Sequence, residues 1–276
     1  MREKQEVVRE AVLSAGSIVK DAFMQPPGGE GAVEKGENDF VTRVDIQSER
    51  MIIDVLRESF PDIEVLAEEG KERPSKDTFW IIDPLDGTTN FMHRYPMIGM
   101  SVALYSEGQV VLGTVYDPLR GELFEALRGQ GAFLNGERMS VSRGETLKTS
   151  LLGTGFPFRV REYLYGYIEL FKLLFNQCRG IRRAGAAVID LAYVAAGRLD
   201  GFFELYLKPW DMAAGALLVE EAGGVVSDMV GASDFLESGH IIAANPHIYD
   251  NILTAARSVF EAEELKGLGT GFRPLR

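Results

Sequence analysis

The sequence predicts an α+β fold of sheets layered with helices: an antiparallel meander in the first half and a smaller α/β arrangement in the second. Three observations predict it. Residues 99–106, 109–117 and 120–127 alternate in polarity and are joined by Glu107-Gly108 and Pro118-Leu119-Arg120, the pattern of successive antiparallel strands. Beyond residue 146 the rhythm changes, and short apolar runs alternate with segments of helical period, which calls for helices packed on sheets. Finally, 276 residues suffice to bury a large core, as one domain or two closely packed halves. The expected halves are residues 1–145 and 146–276, with a soft boundary and one catalytic unit between them.

Taken in order, Val7, Ala11, Ala15, Ile18 and Ala22 recur at helical spacing, so residues 3–24 read as an amphipathic helix. Gln25-Pro26-Pro27-Gly28-Gly29 stops it, and residues 28–39 read as a loop with a short hairpin. Ile46, Ile53 and Leu56 mark a second helix closing at Phe60-Pro61. Residues 63–67 form a short strand, followed by a charged loop to Asp77 and the buried strand Phe79-Trp80-Ile81-Ile82. A further short strand precedes Asn135-Gly136. Strands are expected at 151–154, 201–206 and 241–244, and helices at 161–177, 187–197, 212–222 and 247–263. Residues 262–276 lack periodicity and read as a tail.

Composition excludes some functions. A net charge of −12 argues against a nucleic-acid surface, which needs a basic face to displace counterions. The acidity either keeps the chain soluble or reflects carboxylates gathered for cations, and composition alone does not separate the two. Cys178 is the single cysteine, which rules out an intramolecular disulfide and a cysteine-based zinc site. His93, His240 and His247 share no helical metal-ligand spacing. The expected home is a reducing cytoplasm. No apolar run reaches the length of a signal segment or membrane span.

The sharpest segment is Trp80-Ile81-Ile82-Asp83-Pro84-Leu85-Asp86-Gly87-Thr88-Thr89-Asn90-Phe91. A buried strand runs into Asp83, Pro84 forces a turn, and Gly87 lets the backbone continue tightly. Asp83 and Asp86 then face one hollow together with the Leu85 carbonyl, a set of hard oxygens suited to magnesium. If Thr88 opens a helix, the amides of Gly87 and Thr88 cradle an anion beside that cation site. The plainer alternative makes Asp86 a helix cap and Asp83 a strand end. Phosphatases with an aspartyl nucleophile place two aspartates two positions apart; here the spacing is three, so covalent catalysis at Asp83 is rejected. Glu68 ends a strand where a ligand could lie, or is a solvated loop acid beside Glu69. Asp211, after Pro209-Trp210, is a ligand or a helix cap.

Ala67-Glu68-Glu69, the run Asp83 to Phe91, and Trp210-Asp211 resemble, in order and spacing, the signatures of the inositol monophosphatase family. Arg182-Arg183-Ala184-Gly185-Ala186-Ala187, with Asp190-Leu191-Ala192-Tyr193, Gly197 and Gly201-Phe202-Phe203-Glu204, looks like its bacterial-type members. The likeness runs from about residue 35 to about residue 245, and several separate motifs in one order make chance agreement implausible. It implies a layered αβαβα sandwich and a cytoplasmic homodimer. It also implies magnesium-dependent, lithium-sensitive hydrolysis of a phosphate monoester, foremost myo-inositol 1-phosphate, by metal-activated water.

Carried over by position, Glu68, Asp83 and the Leu85 carbonyl match the ligands of a first metal. Asp83, Asp86 and Asp211 match those of a second, and a third, mostly hydrated, is expected near Glu68. Thr88, supported by Asp45, matches the group that helps Glu68 activate water. The Gly87 and Thr88 amides would hold phosphate, while Gly185, Ala186, Ala187 and Glu204 would meet the polyol. Glu68, Leu85, Asp86 and Asp211 would border the same substrate. Ala186 departs from the Ser or Thr of many relatives, and Thr154-Gly155-Phe156-Pro157-Phe158-Arg159 is more apolar than a pure sugar site requires.

Glu204 has a bland alternative as a partner of Arg198 or Lys208. Lys35 and Asp39 are candidates for placing the third metal. Fructose 1,6-bisphosphate, 3′-phosphoadenosine phosphate and histidinol phosphate are alternative substrates, although Thr89-Asn90 argues against the nucleotide. A distal phosphate would need Arg159, Arg161, Arg182 or Arg183. From another class comes a transcription-complex-binding protein with Arg182-Arg183 near its dimer surface; the acidity disfavours direct RNA contact.

Overall fold

Helix α1 (Arg2–Met24) buries Val8, Ala11, Val12, Ala15 and Val19, one stripe at helical spacing. The computed structural model describes residues 1–25, 33–36, 39–70, 74–158 and 160–260, with backbone alone for 33–36 and 39–41. Strands β1 (Val33–Gly36) and β2 (Asp39–Val41) pair antiparallel, giving the short hairpin that the sequence suggests. Helix α2 (Arg43–Ser59) starts at a capping box in which the Thr42 side chain accepts from the Val44 amide and the Asp45 carboxylate accepts from the Thr42 amide. The apolar stripe of α2 packs on α1.

The first sheet holds β3 (Glu64–Ala67), β4 (Thr78–Asp86), β5 (Gly99–Ser106), β6 (Gln109–Asp117), β7 (Glu122–Leu127), β8 (Gly131–Leu134) and β9 (Glu137–Met139) in sequence order, with helix α3 (Thr88–Met92) after β4. Only β3 and β4 run parallel; the remaining pairs are antiparallel, so the expected meander is present.

The second sheet is built from β10 (Leu151–Thr154), β11 (Gly180–Arg182), β12 (Gly201–Glu204), β13 (Val225–Ser227) and β14 (Ile241–Ala244), in the order β11-β10-β12-β14-β13. Helices α4 (Leu164–Phe175), α5 (Ala187–Ala195), α6 (Pro209–Glu221), α7 (Phe235–Ser238) and α8 (Pro246–Arg257) complete the chain. α1 and α2 cover the outer face of the first sheet, α5 and α6 lie between the sheets, and α8, touching β14, packs with α4. The layers therefore read αβαβα. Each interface is apolar: Trp80, Ile82 and Leu104 face α1 and α2, while Ile81, Ala103 and Phe124 join α5 and α6. α5 and α6 are buried on nearly every side, including Leu191, Val194, Leu217 and Val219, as a central layer requires.

The differences from expectation are local. β11, β13 and α7 have three or four residues each, too few to leave a periodic signal. α6 starts at Pro209 rather than residue 212, with the proline at a helix N-terminal position that needs no amide hydrogen. β12 stops at Glu204 because Tyr206 turns left-handed, at φ 65°. The tail expected at 262–276 and the side chains of Lys35 and Asp39 lie outside the described residues. Among those described, no helix is long and apolar enough to cross a membrane.

Candidate active site

One cavity of about 390 Å³ opens where β4, the α3 turn, the start of α5, the end of β12 and the start of α6 converge. It is lined by Glu68, Asp83, Leu85, Asp86, Gly87, Thr88, Gly185, Ala186, Ala187, Glu204 and Asp211. Asp45 stands directly behind, its Oδ1 accepting from the Thr88 hydroxyl at 2.9 Å. Residues scattered over 167 positions of sequence, 45 to 211, are thus brought together.

The turn after β4 begins where the pairing with β5 shifts register between Asp83 and Asp86. Asp83 Oδ1 accepts from the Leu85 amide at 3.1 Å. Its Oδ2 is buried without a hydrogen-bond partner, and an orphaned carboxylate oxygen in such a place calls for a cation or a proton. Burial, then the charges of Glu68, Asp86 and Asp211, push the Asp83 carboxyl well above the usual range.

Asp86 is pushed up to about 7 by burial and by Asp211, against the pull of the Val188 and Gly87 amides and Arg183. Its Oδ2 accepts from Val188 N at 2.8 Å, so it holds the first turn of α5 rather than capping α3. Asp211 sits in the first turn of α6 and accepts from Lys208 N at 2.7 Å. For Asp211, capping and facing the cavity are therefore compatible, whereas Asp86 does not cap α3. The donor set of four carboxylates and one carbonyl suits a hard divalent cation. Among the described residues no three acidic, histidine or cysteine side chains form a ready ligand cluster; Asp83, Asp86 and Asp211 each accept from a backbone amide.

Gly87 adopts φ 88°, and a Cβ there would lie 2.9 Å from the Met97 carbonyl, so both conformation and space demand glycine. The Thr88 hydroxyl also reaches the Leu85 carbonyl, at 3.2 Å. Asp45 is fully buried and raised by that burial, while hydrogen bonds from Thr42 and Thr88 work the other way.

Several contacts in the cavity escaped sequence reasoning, although their residues stand in the motifs. Asn90 Nδ2 donates to the carbonyls of Met97, Ala184 and Gly185, clipping the loop before α5 to the aspartate turn. Asn90's place three positions after Gly87 was visible, but not its partner loop some 94 residues away. Arg183 lines the cavity with its guanidinium 5.6 Å from the Phe156 ring and 5.1 Å from that of Phe158. Asp190, whose carboxyl is also raised by burial and the charge of Asp86, lies beneath. Gly155 leaves the space that the Glu204 carboxylate fills.

The alternative pairing of Glu204 with Arg198 is not made: Arg198 instead binds Glu122 at 2.6 Å. Burial raises the Glu204 carboxyl well above the ordinary range, with Arg183 opposing. Of the basic residues considered for a distal phosphate, Arg183 lines the cavity, Arg161 and Arg182 do not, and Arg159 lies outside the described residues.

The inositol monophosphatase family model matches residues 1–261. The chain belongs to the inositol monophosphatase family. It is 47% identical over 249 residues to Nus factor SuhB of Escherichia coli, covering 90% of this chain and 93% of that one. The crystal structure of extragenic suppressor protein suhB from Bartonella henselae superimposes with a TM-score of 0.89 at 38% identity, over 93% of this chain and 99% of that chain. An IMPase of Thermotoga maritima follows with 0.83 at 34% identity, over 96% and 100%. The layered fold of this family member is that of its solved relatives.

Proposed function

We propose that this inositol monophosphatase family member hydrolyses phosphate monoesters with magnesium, most readily myo-inositol 1-phosphate. The observation that carries this reading is the orphaned, buried Asp83 Oδ2 in a cavity also lined by Glu68, Asp86, Asp211 and the Leu85 carbonyl. Glu68, Asp83 and Leu85 would hold one ion and Asp83, Asp86 and Asp211 another, with a third near Glu68. Bound magnesium supplies Lewis acidity that acidifies water and offsets phosphate charge.

The chain's own groups do the rest. Thr88 donates a hydrogen bond to Asp45, which leaves the hydroxyl lone pairs to accept from and orient a water; the hydroxyl is too weakly acidic to be ionised and serve as the base. Glu68 takes the proton. The Gly87 and Thr88 amides lie beside the phosphate, and Gly185, Ala186, Ala187 and Glu204 border the leaving alcohol. A homodimer in the cytoplasm, and sensitivity to lithium, complete the proposal.

The test is phosphate release from inositol 1-phosphate, fructose 1,6-bisphosphate, 3′-phosphoadenosine 5′-phosphate and histidinol phosphate, each with magnesium, without it, and with lithium. Magnesium-dependent, lithium-inhibited release favouring the inositol ester is expected. Arg183 favours fructose 1,6-bisphosphate as the second substrate, since a guanidinium lining the cavity beside Phe156 and Phe158 suits a distal phosphate. The Nus factor name of the E. coli relative supports a different role, binding to a transcription complex. A folded protein that releases phosphate from none of the esters yet is retained by transcription factors would favour that role.

A further inference from the structure

The segment from Glu204 to Asp211 joins the polyol side of the cavity to the metal side, and its midpoint is strained. Tyr206 lines the cavity with φ 65°, a left-handed backbone that bulky side chains rarely adopt. Arg94, Glu107 and Asn135 also have positive φ; Glu107 and Asn135 each precede a glycine in a hairpin turn, where that geometry is expected. Tyr206 has no such excuse.

What holds it is a run of three consecutive amides. Tyr206 N donates to His240 Nδ1 at 3.2 Å, Leu207 N to the Gly239 carbonyl at 2.7 Å, and Lys208 N to Asp211 Oδ2 at 2.7 Å. His240 is fully buried, and the ring of Tyr163 meets it edge-on with centroids 5.3 Å apart. The imidazole is thus fixed in place, with its proton on Nε2 so that Nδ1 accepts.

The Lys208 ammonium lies 4.6 Å from the Tyr206 ring centroid. Upstream, Glu204 is the last residue paired with β14, opposite Ile241, the neighbour of His240. One imidazole therefore braces the turn that separates Glu204 from Asp211.

We propose that His240 is a positioning residue: by holding the Tyr206 amide it sets the place of Asp211 relative to Glu204, and with it metal affinity and substrate fit. This rests on the phosphatase reading above. A glycine at position 206 would adopt the left-handed backbone unaided, and would make the brace dispensable.

The test compares wild type, His240→Leu, which removes the acceptor, His240→Asn, which retains one, and the double variant Tyr206→Gly/His240→Leu. Folding is checked by circular dichroism, magnesium affinity by calorimetry on the substrate-free protein, and KM and kcat with inositol 1-phosphate. His240→Leu should weaken magnesium binding by about tenfold and raise KM, His240→Asn should stay within about threefold, and the added glycine should restore both constants.

Wild-type constants in His240→Leu, or a folded double variant as impaired as the single one, would overturn the proposal. Should His240→Leu not fold, the double variant decides: folded and near wild type supports the brace, unfolded or impaired removes it. If wild type turns over no ester, the phosphatase reading fails while the magnesium titration still judges His240. If wild type binds no magnesium either, both fall.

Discussion

Glu204 shows how a single side chain is placed by its neighbours. Its carboxylate occupies the space above Gly155, and its charge is opposed by the guanidinium of Arg183, itself held against Phe156 and Phe158. A carboxylate so confined suits hydroxyl groups better than bulk water, because the unpaired form is costly when buried. Glu204→Ala should raise KM for inositol 1-phosphate by about tenfold. A small aryl phosphate, which lacks those hydroxyls, should be affected far less. Steady-state kinetics on both esters check this, and equal changes would remove Glu204 from substrate recognition. Asp83, by contrast, was identifiable in the sequence, because a buried strand, a proline and a glycine surround it within five residues. For Arg183, one of four arginines considered for a distal phosphate, and for Asn90, the contacts were not legible, since their neighbours lie far along the chain.

At the scale of elements, the α3 turn is the piece on which most groups depend. Gly87 admits no side chain, Asn90 ties the turn to the loop before α5, and Asp86 holds the Val188 amide in the first turn of α5. Gly87→Ala combines left-handed backbone strain with a clash on the Met97 carbonyl. It should lower stability by about 2 kcal/mol and activity with it. Chemical denaturation reads the first and phosphate release the second; unchanged stability would show that the turn relaxes freely.

The strands and helices themselves were largely legible, since the alternation of 99–117 and the helical stripe of α1 span enough residues to define a period. β11 and β13, with three residues each, were not. Nor could local pattern reveal that β12 ends early, because the cause is a backbone reversal at Tyr206 fixed by His240 from another strand's edge.

The whole molecule stores several acids in one low-dielectric region. Burial and mutual repulsion raise Asp83, Asp86, Asp190 and Glu204, with Asp86 reaching about 7. An acid whose folded value exceeds its unfolded value takes up a proton on folding. Its contribution is therefore complete below the unfolded value near 4 and is lost as pH rises through the folded value. In chelator the melting temperature should fall between about pH 5 and about pH 8. Magnesium favours the ionised carboxylates, so the stabilisation it gives should grow over the same window. Thermal melts at both pH values, with chelator and with magnesium, read this directly. A magnesium effect independent of pH would separate the raised acids from cation binding.

The layered fold explains why these acids meet at all. The ends of β4 and β12 and the starts of α5 and α6 open at one edge between the two sheets, so β4 brings Asp83 and Asp86, β12 brings Glu204 and α6 brings Asp211 into one cavity.

The central claim is that Asp83 and its neighbours bind magnesium to hydrolyse a phosphate monoester. Its most direct test is phosphate release from inositol 1-phosphate as magnesium is titrated, in wild type and in Asp83→Asn. Wild type should show saturable, magnesium-dependent release. Asp83→Asn should fall by at least about a hundredfold with weakened magnesium dependence. Wild-type turnover in the folded Asp83→Asn protein would contradict the account.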